Sequence, residues 1–285
     1  MITLEELLGE FKLFDEVFED LGDVSGLVTL DIGSGGGSMV SYLVRKNGPE
    51  RVFAIDLFTG TLGLLKKKLS SEEMLKVIFI KADLRRLDFL KDCFFDIVIA
   101  YDTLSVVEKF TPSGTEYVLN EVYRILKPKG YFVVIEHSPI DLIRPMDEAH
   151  KVEIGFWSMH IKIDKALDEP AGVEYTPQSL VKTIKNFSFE VSHWKELRTT
   201  YLEQYPGFGS VTIQRVKKVS DEDLREELLQ EIEQIDRDGK KHGMRSIPHY
   251  VVYAAKPSPA ERRKTELPTL KELYDTTHHR DLLGC

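Results

Sequence analysis

Leu27-Val28-Thr29-Leu30-Asp31-Ile32-Gly33-Ser34-Gly35-Gly36-Gly37 is the stretch on which the reading of this chain turns. A short apolar run carries one acid, ends in a cluster of glycines and passes into a helical pattern that continues to Arg45. Glycine lets the backbone turn sharply and approach a ligand closely. The helix start beyond it offers free N–H groups and a positive dipole end, a good seat for a carboxylate. A dinucleotide fingerprint opens in the same way, but its third glycine would fall on Ser38, whereas glycine here recurs at 33, 35 and 37. Asp31 would repel a pyrophosphate, yet it would attract an ammonium group directly or through water.

The pattern repeats downstream. Strands are expected at Arg51–Asp56, at Lys76–Lys81 running into Ala82-Asp83-Leu84, at Phe95–Ala100 running into Tyr101-Asp102, and at Tyr131–Glu136. A Leu/Lys helix lies around Gly60–Leu69, and another from about Thr115 to Leu126 stops at Lys127-Pro128-Lys129-Gly130, since Pro and Gly cannot continue it. The strands are continuous Val/Ile/Phe runs, as expected when helices cover both faces. The fold class is therefore α/β, a doubly wound, mostly parallel Rossmann-like sheet. Its ligand crevice belongs at the carboxyl ends of the strands.

Upstream, Leu4, Leu7, Leu8, Phe11, Phe14, Val17, Phe18 and Leu21 recur at helical spacing. Downstream, residues 138–175 carry Pro139, Pro145 and Pro170 among aromatics and charges, and read as an insertion over the crevice. A helix near Thr176–Asn186, a strand near Phe189–Leu197 and a last strand at His249–Ala255 complete the sheet. Residues 220–238 form a charged amphipathic helix with Leu224, Leu228, Leu229, Ile232 and Ile235 on one side. That stripe would close over the site or meet a second subunit, which leaves a homodimer open. One domain is expected over residues 1–257, with 139–175 and about 215–245 as insertions or lid. Residues 258–285 read as a polar tail with a short helix at Leu270–Tyr274.

Composition bounds the partners. The 285 residues are 42% hydrophobic and carry a formal net charge of −9, which gives no support to a nucleic-acid partner. The two cysteines, Cys93 and Cys285, build neither a disulfide framework nor a Cys-rich zinc site. The N-terminal pattern lacks the basic start and apolar run of a signal peptide. No apolar stretch reaches membrane-spanning length. A cytoplasmic protein is expected, and the bias toward Glu and Lys over Asn and Gln is thermophile-like. His278-His279 with Asp281 are the one place for a metal, but adjacent histidines on a helix point apart, so no metal is assigned.

Three acids end three successive strands: Asp31 on the first, Asp56 on the second and Asp83 on the third. A carboxylate at the second position can accept from ribose hydroxyls. One at the third can accept from an exocyclic amine. Together they suit a ligand with a ribose, an amino base and a cationic amino-acid arm.

At these residues the chain resembles the class I S-adenosylmethionine-dependent methyltransferases over roughly residues 25–137, and more loosely to about 257. The resemblance implies S-adenosyl-L-methionine as cofactor. Its methionine part would be held by Asp31, Gly33, Ser34, Gly35 and Gly37, its ribose by Asp56 beside Leu57, and its adenine by Asp83 and Leu84. Tyr101, or its backbone, would border the methionine. The passage Glu121–Gly130 is similar to the family's L-K-P-G-G turn, with Lys129 in place of the commoner Gly.

The acceptor is less legible, because the sulfonium already supplies the driving force and the protein adds mainly proximity, orientation and sometimes a base. Ala100-Tyr101-Asp102-Thr103 lacks the [D/N]-P-P-[Y/F/W] pattern of enzymes that methylate base or glutamine amines. Ile135-Glu136-His137-Ser138 looks like the E-F-S turn of quinone-biosynthesis C-methyltransferases, with His137 replacing Phe. That leans toward methyl transfer to a small-molecule acceptor near the ends of strands four and five. Candidate catalytic residues are His137 as base, Glu136 to orient a charged acceptor, and His160 within an aromatic insertion that also holds His150, Phe156, Trp157 and Tyr175. A polar loop histidine and a structural glutamate are the plain alternatives. Ile154, Trp157 and Ile161 read as ordinary helix packing.

Three other functions stay open. A protein or RNA methyltransferase would show an open groove rimmed by Lys182, Lys185, Arg215, Lys217 and Lys218. A nicotinamide oxidoreductase is disfavoured by Ser38 and Asp31. A non-catalytic cofactor-binding subunit would bind without turnover.

Overall fold

Why a sheet forms, and in what order, follows from the apolar runs. In the computed structural model, which describes residues 4–170, 172–203 and 205–258, the elements are α1 (Leu4–Leu21), β1 (Val28–Ile32), α2 (Ser38–Tyr42), β2 (Arg51–Asp56), α3 (Gly60–Lys68), α4 (Ser71–Met74), β3 (Val77–Lys81) and β4 (Phe95–Tyr101). Then come α5 (Leu104–Phe110), α6 (Gly114–Ile125), β5 (Leu126–His137), α7 (Glu148–Ala166), α8 (Pro177–Asn186) and β6 (Glu190–Glu196). The chain continues through β7 (Tyr201–Leu202), α9 (Ser210–Val216), α10 (Glu222–His242), β8 (Met244–Arg245) and β9 (His249–Ala255).

The main sheet runs β3-β2-β1-β4-β5-β9-β6, and β7 pairs with β8 in a separate two-stranded ribbon. From β3 to β5 every pairing is parallel, while β9 is antiparallel to both β5 and β6. The chain reverses its direction of travel across the sheet between β1 and β4. Doubly wound sheets open a ligand crevice at such a switch point.

Apolar side chains cover both faces. On one, Phe11, Phe14 and Phe18 of α1 set their rings within 5.4 Å of the Tyr42 ring, over Ile97, Ile99 and Val133. On the other, Val118, Leu119 and Val122 of α6 and Leu180 and Ile184 of α8 pack on Val98, Phe132 and Val252. The period of two along each strand sends alternate residues to opposite layers.

Two local departures from the expected pattern have clear causes. The crossover from β3 to β4, residues 82–94, contains no helix. Leu84 and Leu87 anchor it in the core, and α6 satisfies its backbone: Arg124 donates to the Leu87 and Leu90 carbonyls at 2.7 and 2.8 Å, and Glu121 accepts from the Leu87 N–H. The Lys127–Gly130 stretch does end α6, but it stays extended as the start of β5, with a register shift opposite β4. Lys129 takes a positive φ of 66°, and its N–H donates to the Lys256 carbonyl at 2.7 Å.

The two insertions form a third core above the sheet. Leu228, Ile232 and Ile235 of α10 are buried against Val152, Met159 and Ile163 of α7 and Val216 at the end of α9. The apolar stripe expected to close the site or meet a second subunit is therefore covered within this chain. Ile154, Trp157 and Ile161 are not the packing face of α7; all three are half-buried, and Val152, Met159 and Ile163 take that role.

Ion pairs fix this cap to the crevice wall. Asp164 of α7 pairs with Lys109 of α5 and, at 2.6 Å, with Arg215 of α9, which also reaches Glu169. Asp147 caps α7 by accepting the His150 N–H at 2.8 Å and pairs with Arg245 at 2.7 Å. His278, His279, Asp281, Cys285 and the Leu270–Tyr274 helix lie outside the described residues. Among the described residues no helix is long and apolar enough to cross a membrane.

Candidate active site

The glycine loop is built as its sequence demands. Gly33, Gly35 and Gly37 all take positive φ, at 70°, 46° and 77°, where a side chain is strained. A Cβ on Gly33 would lie 2.6 Å from Thr103, and one on Gly37 would lie 2.3 Å from Leu65. These two glycines are required by packing. A Cβ on Gly35 would meet only the Gly33 carbonyl, at an ordinary contact distance of 3.7 Å, and the Gly35 N–H donates to Asp56 Oδ2 at 2.8 Å.

Two cavities meet at this loop. The larger, of about 540 Å³, runs along the ends of β2 and β3 and is lined by Asp56, Leu57, Asp83 and Leu84 with Phe58 and Phe110. The smaller, of about 250 Å³, is lined by Asp31, Ser34, Gly36, Ser38, Met39 and Tyr101. Gly33, Gly35 and Asp102 belong to both. Every expected cofactor residue except Gly37 lines one cavity or the other. Gly37 caps α2 instead, accepting from the Ser41 hydroxyl.

The smaller cavity holds two unsatisfied polar atoms. Asp31 is 1% exposed, and its Oδ2 has no hydrogen-bond partner; neither has the buried Ser34 Oγ. Burial, then the nearby Asp56 charge, pushes Asp31 well above the usual carboxylate range. A buried carboxylate oxygen without a partner is costly, and a cationic donor removes that cost. An ammonium group at this point satisfies Asp31, while Ser34 can donate to a carboxylate.

In the larger cavity Asp56 accepts from the Gly35 and Phe58 N–H groups, each at 2.8 Å, which fixes its carboxylate at the tip of β2. Asp83 is held by Arg85, whose guanidinium keeps its carboxyl below the usual range and also donates to Thr111 at 2.7 Å. Leu57, Phe58 and Phe110 are exposed apolar side chains around this cavity, an environment that fits a flat base. The donor set matches a nucleoside with a cationic amino-acid arm.

None of the three expected catalytic side chains lines either of these two cavities. Glu136 is 1% exposed and turned inward, where Oε1 accepts the Thr103, Leu104 and Ser105 N–H groups and so caps α5. Burial, then the Asp102 charge, raises it to about 7. His137 stacks on Trp157 with centroids 5.5 Å apart, and its Nδ1 lies 3.1 Å from the Ser138 carbonyl. His160 packs between Phe156 and Phe208, and burial, then the Arg215 charge, lowers its pKa.

Sequence reasoning missed the pair beside them. Asp102, at a positive φ of 46°, accepts from the His137 N–H at 3.2 Å and faces His249 Nε2 at 3.1 Å. The other ring nitrogen of His249 lies 3.1 Å from the Ile247 carbonyl. Both nitrogens thus face acceptors, so the ring is satisfied only as a double donor. Burial alone would lower His249, but the Asp102 carboxylate outweighs it and raises the pKa; Asp102 in turn is held low against its own burial. The only signal in the sequence was the position of Asp102, one residue past the end of β4.

The chain thus presents a doubly wound sheet whose first three strand ends carry acids around a glycine loop. Residues 30–134 match the family model described as a methyltransferase domain. The chain is 32% identical over 119 residues to the demethylmenaquinone methyltransferase of Lactococcus lactis subsp. lactis, covering 41% of this chain and 45% of that protein. It is 28% identical over 175 residues to the ubiquinone/menaquinone biosynthesis C-methyltransferase UbiE of a Ruegeria species, covering 61% and 65%. The chain thus spans less than two thirds of the length of either relative. The fold resembles that of a SAM-dependent methyltransferase from Aquifex aeolicus, with a TM-score of 0.50 at 16% identity, over 85% of this chain and 88% of that one. Residues 30–134 thus match a methyltransferase domain, and the sheet around them has the fold of SAM-dependent methyltransferases.

Proposed function

We propose that the protein transfers the methyl group of S-adenosyl-L-methionine to a small-molecule acceptor bound near the ends of β4 and β5. One observation carries the reading: Asp31 Oδ2 and Ser34 Oγ, both buried and unpartnered, line a cavity that joins the acid-tipped ends of β2 and β3. When bound, the cofactor supplies an electrophilic methyl group on a sulfonium. The chain's own residues bind and orient. Asp31 and Ser34 would hold the amino-acid end, Asp56 the ribose hydroxyls, and Asp83 with Leu84 the base. Glu136 fixes α5, whose Val106 and Phe110 wall the larger cavity. The cap of α7, α9 and α10 would shield the acceptor side from water, with His137 stacked on Trp157 as an aromatic wall there.

The names of the quinone-pathway relatives support a small, largely apolar acceptor. The alternative acceptor classes gain less support. Arg215, one of the cations expected to rim a protein or RNA groove, is engaged by Asp164 and Glu169. The reading is tested by calorimetry with S-adenosylmethionine and then by turnover of radiolabelled methyl into a metabolite extract. Binding followed by label in a low-molecular-weight product supports it. Label confined to protein or RNA contradicts the acceptor class.

A further inference from the structure

The two cavities share three residues, and only one of them carries a charge. If adenosine fills the larger cavity and the amino-acid arm the smaller, as proposed above, the sulfur between them must pass Gly33, Gly35 and Asp102. We propose that Asp102 is the counter-charge of the sulfonium, the residue that makes the site distinguish the charged methyl donor from its neutral demethylated product.

The geometry supports that role from two sides. The carboxylate is placed at the divide of the sheet, because β4 separates the strands that carry the nucleoside-binding acids from β5 and β9. Its orientation is set by the His137 N–H on β5 and by His249 Nε2 on β9. The side chain of His249 is 9% exposed, while that of Asp102 is 31% exposed. The pair is thus a dipole whose positive end is buried at the start of β9, between β5 and β6, and whose negative end meets the crevice. His249 acts through Asp102 as a positioning residue and does not line either cavity itself. A fixed negative end favours a positive sulfur, and that attraction ends once the methyl group and its charge have left. Nothing in the loop compensates, since Gly33 and Gly35 offer no side chain.

The test is calorimetric titration of the full chain with S-adenosylmethionine and with S-adenosylhomocysteine at about pH 6, where the Asp102 carboxylate is ionised and the His249 ring, raised above its ordinary value, is protonated. Asn tolerates the left-handed backbone that Asp102 adopts, so Asp102→Asn removes the charge without forcing the turn. It is expected to lower the donor-to-product affinity ratio by about tenfold relative to wild type. His249→Gln removes the buried cation and leaves the carboxylate uncompensated, so it is expected to move the ratio the other way. A ratio unchanged in Asp102→Asn, with product affinity retained, overturns the assignment. If that variant does not fold, an unchanged or lowered ratio in His249→Gln overturns it equally. Wild-type protein that binds neither compound would instead contradict the methyltransferase reading on which this inference rests.

Discussion

The Gly35 N–H donates to Asp56 Oδ2 at 2.8 Å, so the glycine loop after β1 is bonded to the acid at the tip of β2. The acid proposed to hold the ribose and the loop proposed to hold the methionine arm are one hydrogen-bonded unit. Asp56→Ala is therefore expected to do two things at once, removing an acceptor for ribose hydroxyls and freeing the loop. Affinity for S-adenosylmethionine, read by calorimetry, should fall by about tenfold or more, as expected for loss of charge-assisted hydrogen bonds. Unchanged affinity would take Asp56 out of the site.

Gly35 and Gly37 should separate by readout. Gly37→Ala would drive a Cβ to 2.3 Å from Leu65 at a φ of 77°, so thermal unfolding should show a loss of about 1–3 kcal/mol. Gly35→Ala meets only the Gly33 carbonyl at 3.7 Å, so it should cost less stability and more cofactor affinity. Equal stability losses at both positions would contradict the division between packing and binding glycines.

Glu153 of α7 gives the pH dependence a sign. It is 8% exposed, its Oε1 accepts from Trp157 at 2.8 Å, its Oε2 has no partner, and burial raises its pKa to about 7. A carboxyl whose folded value lies above its unfolded value stabilises the fold below the unfolded pKa, and that contribution disappears as pH rises through about 7. Raising pH from about 5 to about 8 should thus cost on the order of 3 kcal/mol from this group. Glu153→Gln should flatten the profile in chemical denaturation. A variant with the same slope as wild type would show that another group sets it.

Asp164 ties the cap to the crevice wall, and its removal leaves Lys109 and Arg215 without it. Asp164→Ala should cost about 3 kcal/mol, the scale for breaking a buried pair. Hydrogen exchange should quicken in α5, α7 and α9 before β1 and β4 respond. Uniform acceleration across the sheet would mean that the cap is not a separate unit.

The sheet was legible because buried parallel strands must be apolar throughout and must end where the crevice begins. That places Asp31, Asp56 and Asp83 at strand ends by periodicity alone, before any contact is known. The acceptor side was less legible for a physical reason. Glu136 and His137 end an equally regular strand, but the fate of a side chain at a strand end depends on what approaches from elsewhere in the chain. Glu136 turned inward because the start of α5 presents three free N–H groups to it. Asp102 became a site residue because His249, far away in sequence, lies beside it on an antiparallel strand. Likewise the packing face of α7 was set by α10, which no local pattern in residues 148–166 reveals.

The most direct test is a competition titration of wild-type protein with S-adenosylmethionine and with NAD. Saturable one-to-one binding of S-adenosylmethionine that Asp31→Asn weakens, with no measurable binding of NAD, is the expected result. Binding of NAD with no response to S-adenosylmethionine would mean that the cavity between Asp31 and Asp83 holds a dinucleotide, and the functional assignment would be wrong.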